Sequence, residues 1–521
     1  MLQDKLIKNA VSCIIQRSER QHELHKILAS FVDIGILPQL LNFNNQIVYG
    51  RRGTGKTHIL KVLASKLNND PANVIVYIDA RTLGSTSQFT DSEVPLKIRC
   101  LSLFQDILGE ICNKFMEHII NTPSSEANQA LNKLDDLMKI STEPMKKFTN
   151  ELITTRSLDK KNDKGSINCG IENVAPNISG NLSNESSTEN EVTTSYRVSQ
   201  EEKVIFPQLH HLLKEILDKS ESTLYLLIDE WSSLPFEIQP YLAEFLKRGF
   251  ITNPKIVIKI AALEYRSNFQ KRLDHDNIGF ELGGEFSTTL DLDDYYVYDR
   301  NPKNITLKFS EILLKHINIE LPDNYLASTY KIFTGEDLSS RMFTEKITFE
   351  ELVRASEGVA RDLINIFNAA FFDSQRRERD SIDKKSILEA ARQWFEKDKI
   401  INLDETLQQV LKKIVLEVIG KRKARSFLLP RELEKDPIIM KLFDYRVLHL
   451  MQRGYADKDN PGMRYNIYTL DYGTYVNLIN TSNKPQIEFI EFIESENKEL
   501  VVPFDDKRSI RRIILTKSIL S

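Results

Sequence analysis

Glycine is scarce, at 19 in 521 residues. That excludes a collagen-like or glycine-rich low-complexity chain, and it makes any local crowding of glycines informative. Cysteines number only 4 (Cys13, Cys100, Cys112 and Cys169), widely spaced and without a CxxC pair, which argues against a disulfide framework and a cysteine zinc site. No run of about 18 apolar residues occurs, so no transmembrane helix is expected. The opening stretch, MLQDKLIKNAVSCIIQRSERQHEL, mixes charge with apolar residues and lacks the apolar core of a signal peptide. The expected location is cytoplasmic. Neither charge dominates: 70 Lys and Arg against 74 Asp and Glu leave −4, which excludes a surface basic all round but not a local basic patch. No internal repeat is found.

The remaining composition, 41% hydrophobic and 28% charged, is that of a soluble globular protein. At 521 residues the chain is too long for one core, so two to four domains are expected. Residues 1–45 read as helix, with Leu24, Ile27, Leu28, Phe31 and Val32 at helical spacing. From 46 to 300 short apolar runs alternate with helical ones: Gln46–Tyr49, Val74–Ile78, Leu224–Ile228, Lys255–Leu263 and Thr288–Leu292 read as strands. Alternating strands and helices predict an α/β domain with a parallel sheet. Residues 155–200 are rich in Asn, Ser, Thr, Gly and Glu and poor in large apolar residues, so they read as a disordered insertion. Residues 301–400 turn helical, over 305–318, 347–355, 358–372 and 384–397. Residues 401–480 read as helices at 403–419 and 437–453 followed by a hairpin around Asp457–Gly462, the pattern of a winged helix. Residues 481–521 are an extension.

Three of the scarce glycines fall within six residues, in Gly50-Arg51-Arg52-Gly53-Thr54-Gly55-Lys56-Thr57, a full G-x-x-x-x-G-K-[ST] phosphate loop between a strand and a helix. Glycines let backbone N–H groups converge on a phosphate, and the following helix adds its positive N-terminus. Lys56 would reach the β- and γ-phosphates and Thr57 would ligate Mg²⁺. The expected nucleotide-binding set is Gly50, Arg51, Arg52, Gly53, Thr54, Gly55, Lys56, Thr57 and His58. The strand Leu224–Ile228 ends in Asp229 and Glu230. Asp229 would hold the metal, and Glu230 would orient or deprotonate the attacking water.

These residues resemble an AAA+ ATPase, and YGRRGTGKTH and LLIDEWSSLP with a helical lid and winged helix are similar to its origin-recognition/initiator-like branch. The resemblance spans about residues 40–475 and is most specific at the two motifs. It implies a P-loop NTPase sheet of AAA+ type, ATP and Mg²⁺, an oligomer, and three further sites. Glu357-Gly358-Val359-Ala360-Arg361-Asp362 matches a lid sensor, with Arg361 on the γ-phosphate. The first sensor, commonly Asn or Thr, would stand after Lys255–Leu263, where this chain has Glu264, a departure that bears on hydrolysis. An arginine finger reaching a neighbouring subunit would be Arg266, Arg272, or one of Lys247 and Arg248.

In the C-terminal unit Lys421-Arg422-Lys423-Ala424-Arg425, with Arg431, Arg446, Arg453 and Arg464, would track a DNA phosphate backbone. Winged helices also dock proteins, and both partners stay open. A further basic cluster runs from Lys507 to Arg512. Two functions follow: an ATP-binding and ATP-hydrolysing switch coupled to DNA or an effector protein, or a nucleotide-dependent DNA-binding scaffold with negligible turnover.

Overall fold

The structure is a computed structural model that describes residues 1–84, 94–122, 126–142, 146–149, 197–200, 205–273, 276–286, 288–297, 301–422, 424–456, 462–476 and 513–520. Five strands form its central sheet: β1 (Gln46–Tyr49), β2 (Asn73–Asp79), β3 (Thr223–Asp229), β4 (Ile256–Ala262) and β5 (Thr288–Asp291). They lie in the order β2-β3-β4-β1-β5 and every pairing is parallel. All seven residues of β4 are buried, as a strand covered on both faces requires. One face is covered by Leu24–Ser30 and Lys56–Leu67 through Ile27, Leu60 and Leu63. The other is covered by Leu96–Asn121, Phe206–Lys219 and Gln239–Leu246 through Phe104, Leu213 and Leu242. Parallel strands bring all carboxyl ends to one edge, so the phosphate loop after β1 and the acidic pair after β3 meet there.

The first 45 residues are not one helix. Lys5–Cys13, Leu24–Ser30 and Leu37–Leu40 are separate, with a turn at Gly35, φ +95°, before the third. Lys5–Cys13 packs on the lid, where Ile7 and Val11 enter its core. The Tyr325 and Tyr330 hydroxyls each donate to Asp4 Oδ2 at 2.7 Å. The four expected lid helices are Pro302–Ile319, Lys346–Ala355, Ala360–Arg376 and Lys384–Trp394. Two more, Tyr325–Tyr330 and Gly335–Met342, were too short to stand out as periodic patterns.

The C-terminal unit corrects one expectation. No helix spans 437–453: it runs only over Pro437–Asp444. Arg446, at φ +62°, turns the chain, and Leu448–Ala456 is a strand, β7. Strand β6 (Ser426–Pro430) was hidden behind the basic run, and β8 (Arg464–Leu470) completes an antiparallel sheet in the order β6-β8-β7. The run after Arg446 is apolar enough for either a helix or a strand, and pairing with β8 decides between them. Gly454, φ +66°, lies in β7 where the pairing register shifts, so it marks a bulge and not a helix end. Residues 513–515 return along β6: Leu428 N donates to Ile513 O at 2.7 Å and Leu515 N to Leu428 O at 3.0 Å. With the helix Glu405–Val415 ahead of it, this is a winged helix. Most of the expected insertion and the cluster 507–512 lie outside the described residues; at the insertion's edge Arg197–Gln200 pairs with Lys146–Thr149.

A buried chain of charges seats the winged helix on the rest. Lys399 Nζ lies 3.0 Å from Asp362 and 2.5 Å from Asp471. Arg446 pairs with Asp362 and Asp398. His449 Nε2 donates to Asp471 Oδ2 at 2.8 Å, and its Nδ1 accepts from the Arg51 guanidinium. Burial raises the proton affinity of Asp471, but Lys399 and His449 outweigh it and hold the carboxyl below the usual range. Burial, then Arg51, pushes His449 down to about 4, so the imidazole is neutral and bridges by one donor and one acceptor.

Two outcomes are expected. Lys399→Met leaves two buried carboxylates without their shared cation and should cost roughly 3–5 kcal/mol, read as a lower unfolding midpoint in urea. The native state binds fewer protons at His449 than the unfolded chain does, because its folded value is depressed. This contribution to stability is therefore whole above about 6.5 and is lost as pH falls towards 4. A melting-temperature series over that window should show a shallower slope for His449→Gln than for the parent.

Candidate functional site

A cleft of about 330 Å³ opens at the carboxyl edge of the sheet, between the base, the lid and the N-terminal segment. β1 ends at Tyr49, and the loop turns with Gly53 at φ +88° and Gly55 at φ +99°, conformations in which a side chain is strained. Gly53 is also hemmed in: a Cβ there would stand 2.6 Å from the Cβ of Arg361. Lys56 opens the helix Lys56–Leu67 with its side chain buried, and its ammonium donates to Gly50 O at 2.7 Å and Arg51 O at 3.0 Å. Burial lowers its pKa, opposed by the nearby charges of Glu230, Asp293 and Asp229. Thr54 Oγ1 donates to Arg51 O at 2.9 Å and braces the loop from inside. Arg52, Gly53, Gly55 and Thr57 line the cleft.

Arg51 and His58 do other work. The Arg51 N–H donates to Asp293 Oδ2 and its Nε to Asp293 Oδ1, both at 2.9 Å, and its remaining nitrogens reach His449 and Glu357 O. Both its backbone donor and its side chain thus bind the body of the protein, which corrects its expected place among the phosphate contacts. His58 borders the cleft, but its Nε2 donates to Ile27 O at 2.7 Å and ties down Leu24–Ser30. Burial lowers its pKa to about 4 and keeps it neutral.

Asp229 is buried at the end of β3. It accepts from the Tyr77 hydroxyl at 2.7 Å and from the Glu230 N–H at 2.9 Å. Glu230 follows at φ +54°, a left-handed conformation costly for a non-glycine residue, and lines the cleft. Burial, then Asp229, raises its pKa, the direction that makes a carboxylate a better proton acceptor. Among the described residues no group of three or more His, Cys, Asp or Glu is gathered to hold a metal. Thr57 lines the cleft and Asp229 stands at the end of β3, and these are the oxygens that could hold Mg²⁺, an ion taken up through one or two protein oxygens together with phosphate and water.

The lid meets the loop directly. Arg361, at the start of Ala360–Arg376, donates its backbone N–H to Gly53 O at 3.1 Å. Its side chain lines the cleft, and its buried Nε has no hydrogen-bond partner among the described residues. Burial, then Arg446, lowers its pKa. An orphaned cationic N–H beside a phosphate loop fits an anion.

Glu264 is not a cleft residue: its carboxylate lies 2.5 Å from Arg453 of β7. Arg453 also meets Asp291 at 3.0 Å and Glu434 at 3.3 Å. Arg266 pairs with Asp444 at the end of Pro437–Asp444. Lys247 pairs with Glu285 at 2.8 Å and Arg248 with Glu244 at 2.6 Å, while Arg272 is exposed on a short hairpin. Sequence reasoning missed the other wall of the cleft. Arg17, Ser18 and Glu19 line it with polar groups, and Ile15, Val32 and Ile312 with apolar ones. No motif marks those positions. Arg81, two residues past β2, also lines the cleft, and its position at a strand's carboxyl end was the available signal.

The model of the ORC-CDC6-like family matches residues 18–296, more than half of the chain. No curated protein matches. Among solved structures, Cdc6p from Pyrobaculum aerophilum is 13% identical, with 94% of this chain and 98% of that one covered and a TM-score of 0.32. The ORC2 protein of Aeropyrum pernix is 11% identical over 95% and 97%, at 0.32. RuvB from Thermotoga maritima is 13% identical over 79% and 80%, at 0.30. Scores this low carry no weight, whereas the family model reaches from before the phosphate loop to beyond β5. The chain belongs to the ORC-CDC6-like family.

Proposed function

We propose that this protein is an ATP-hydrolysing switch: it binds ATP with Mg²⁺ between base and lid, and its nucleotide state sets the contact of the lid and winged helix with a DNA or protein partner. The observation that carries the reading is the buried Arg361 Nε, without a hydrogen-bond partner among the described residues, on a lid helix whose own backbone is bonded to Gly53. The loop N–H groups and Lys56 hold the phosphates, Thr57 and Asp229 hold the metal, Glu230 takes a proton from water, and Arg361 senses the γ-phosphate from the lid. Held by Thr57 and Asp229, Mg²⁺ would supply positive charge to offset the charge that develops on the phosphates. The Asp362 carboxylate next to Arg361 in sequence belongs to the buried charge chain that holds the winged helix, so a shift of Arg361 is transmitted there.

The partner surface is smaller than the sequence alone offers. Arg446 and Arg453 are held by carboxylates and Arg425 is buried 3.7 Å from Glu357. Lys421, Arg422, Arg431 and Arg464 remain exposed and are the residues that would meet DNA phosphates. An arginine finger at Arg266 would first have to leave Asp444, which ties assembly into a homo-oligomer to movement of the winged helix. The scaffold reading, with ATP bound but scarcely hydrolysed, is favoured by the turn of Glu264 away from the cleft.

Lys56→Ala should abolish tight ATP binding in equilibrium titration, and an unchanged affinity would refute the site. Glu230→Gln should keep ATP affinity while turnover falls by about 10²–10⁴-fold. A parent with no turnover, with or without duplex DNA, would leave the scaffold reading standing.

A further inference from the structure

β4 brings no polar side chain to the reacting end of the cleft. Leu263 lines it with an apolar group, and Glu264 faces Arg453. The neighbouring acidic pair is supported from its other side, by β2. Tyr77 of β2 holds Asp229, and Asp79 stands opposite Asp229 in the strand register. Asp79 in turn clamps Arg81: it accepts from the Arg81 N–H at 3.0 Å, from Nε at 2.9 Å and from Nη2 at 2.5 Å. A guanidinium gripped along one edge is fixed in plane and orientation, and its Nη1 makes no hydrogen bond among the described residues. Arg81 shares the cleft wall with Glu230, Lys56 and Arg361.

We infer that Arg81 is a γ-phosphate contact supplied by the same chain, standing in for the polar group that β4 lacks, with Asp79 as its positioning residue. The inference rests on the ATPase reading above. In the reaction, the oxygen of a water molecule bonds to the γ-phosphorus. The bond from that phosphorus to the β–γ bridging oxygen breaks, and its electron pair stays on ADP. The water proton passes to Glu230. Arg81 donates Nη1–H to a γ-oxygen throughout, on the side of the cleft where Glu230 holds the water, and Arg361 donates from the lid side. ADP has no atom for Arg81 to touch.

The test compares affinities for ADP and for a non-hydrolysable ATP analogue, with Mg²⁺, in the parent chain, Arg81→Ala, Arg81→Lys and Asp79→Asn. Single-turnover hydrolysis is the second readout. A charge-assisted hydrogen bond predicts that Arg81→Ala loses about tenfold in analogue affinity while ADP affinity, which also reports folding, is unchanged. Single turnover should slow at least as much. Arg81→Lys should recover part of the loss, and Asp79→Asn should move the same way by less. An ADP-to-analogue ratio in Arg81→Ala equal to that of the parent overturns the inference, as does an equal loss for both nucleotides. The affinity ratio decides the matter even if the parent does not turn over. A parent that binds neither nucleotide overturns the site assignment itself, and this inference with it.

Discussion

The arrangement of this molecule depends on a buried chain of charges from the phosphate loop to the winged helix. It runs from Arg51 through His449, Asp471 and Lys399 to Asp362 and Arg446. Buried charges cost too much to leave unpaired, so these groups either meet or the interface opens. A seam of apolar side chains would tolerate small slips. A chain of ion pairs and hydrogen bonds tolerates few, because each member's partner is fixed in direction as well as distance.

That chain borders the candidate site at two points. Arg51 belongs to the phosphate loop, and Asp362 follows Arg361 directly. The loop and Arg361 are therefore each one residue or none away from a group that holds the winged helix. Tyr265 makes a third link, with its hydroxyl 3.0 Å from both Glu434 and the Tyr468 hydroxyl. Side-chain contacts thus join the winged helix to the phosphate loop in this chain.

Much of this was legible before any coordinates. The glycine cluster, Lys56 and Thr57 declare themselves because few backbones other than a phosphate loop need those residues at that spacing. The strand at Leu224 was plain because a strand buried on both faces is continuously apolar, and the edge strand at Val74 was plain because Val74–Ile78 is apolar throughout even though one face is only half-buried. Less legible was anything decided by pairing. His449 to Met451 looked helical until β8 claimed them. Arg446 and Arg453 looked like a basic surface because a sequence shows charge without showing what it faces. Asp362, Asp398, Glu264 and Asp291, far off along the chain, turn those arginines inward.

The linear order of residues was enough to determine that a phosphate cradle and an acidic strand end exist, since both are local requirements of backbone conformation and of charge at the end of an apolar run. Tertiary structure alone decided that Arg51 serves the winged helix and that Glu264 leaves the cleft. Those outcomes depend on the direction of side chains from elements distant in sequence, and burial makes each charge take whichever opposite charge the fold brings within reach.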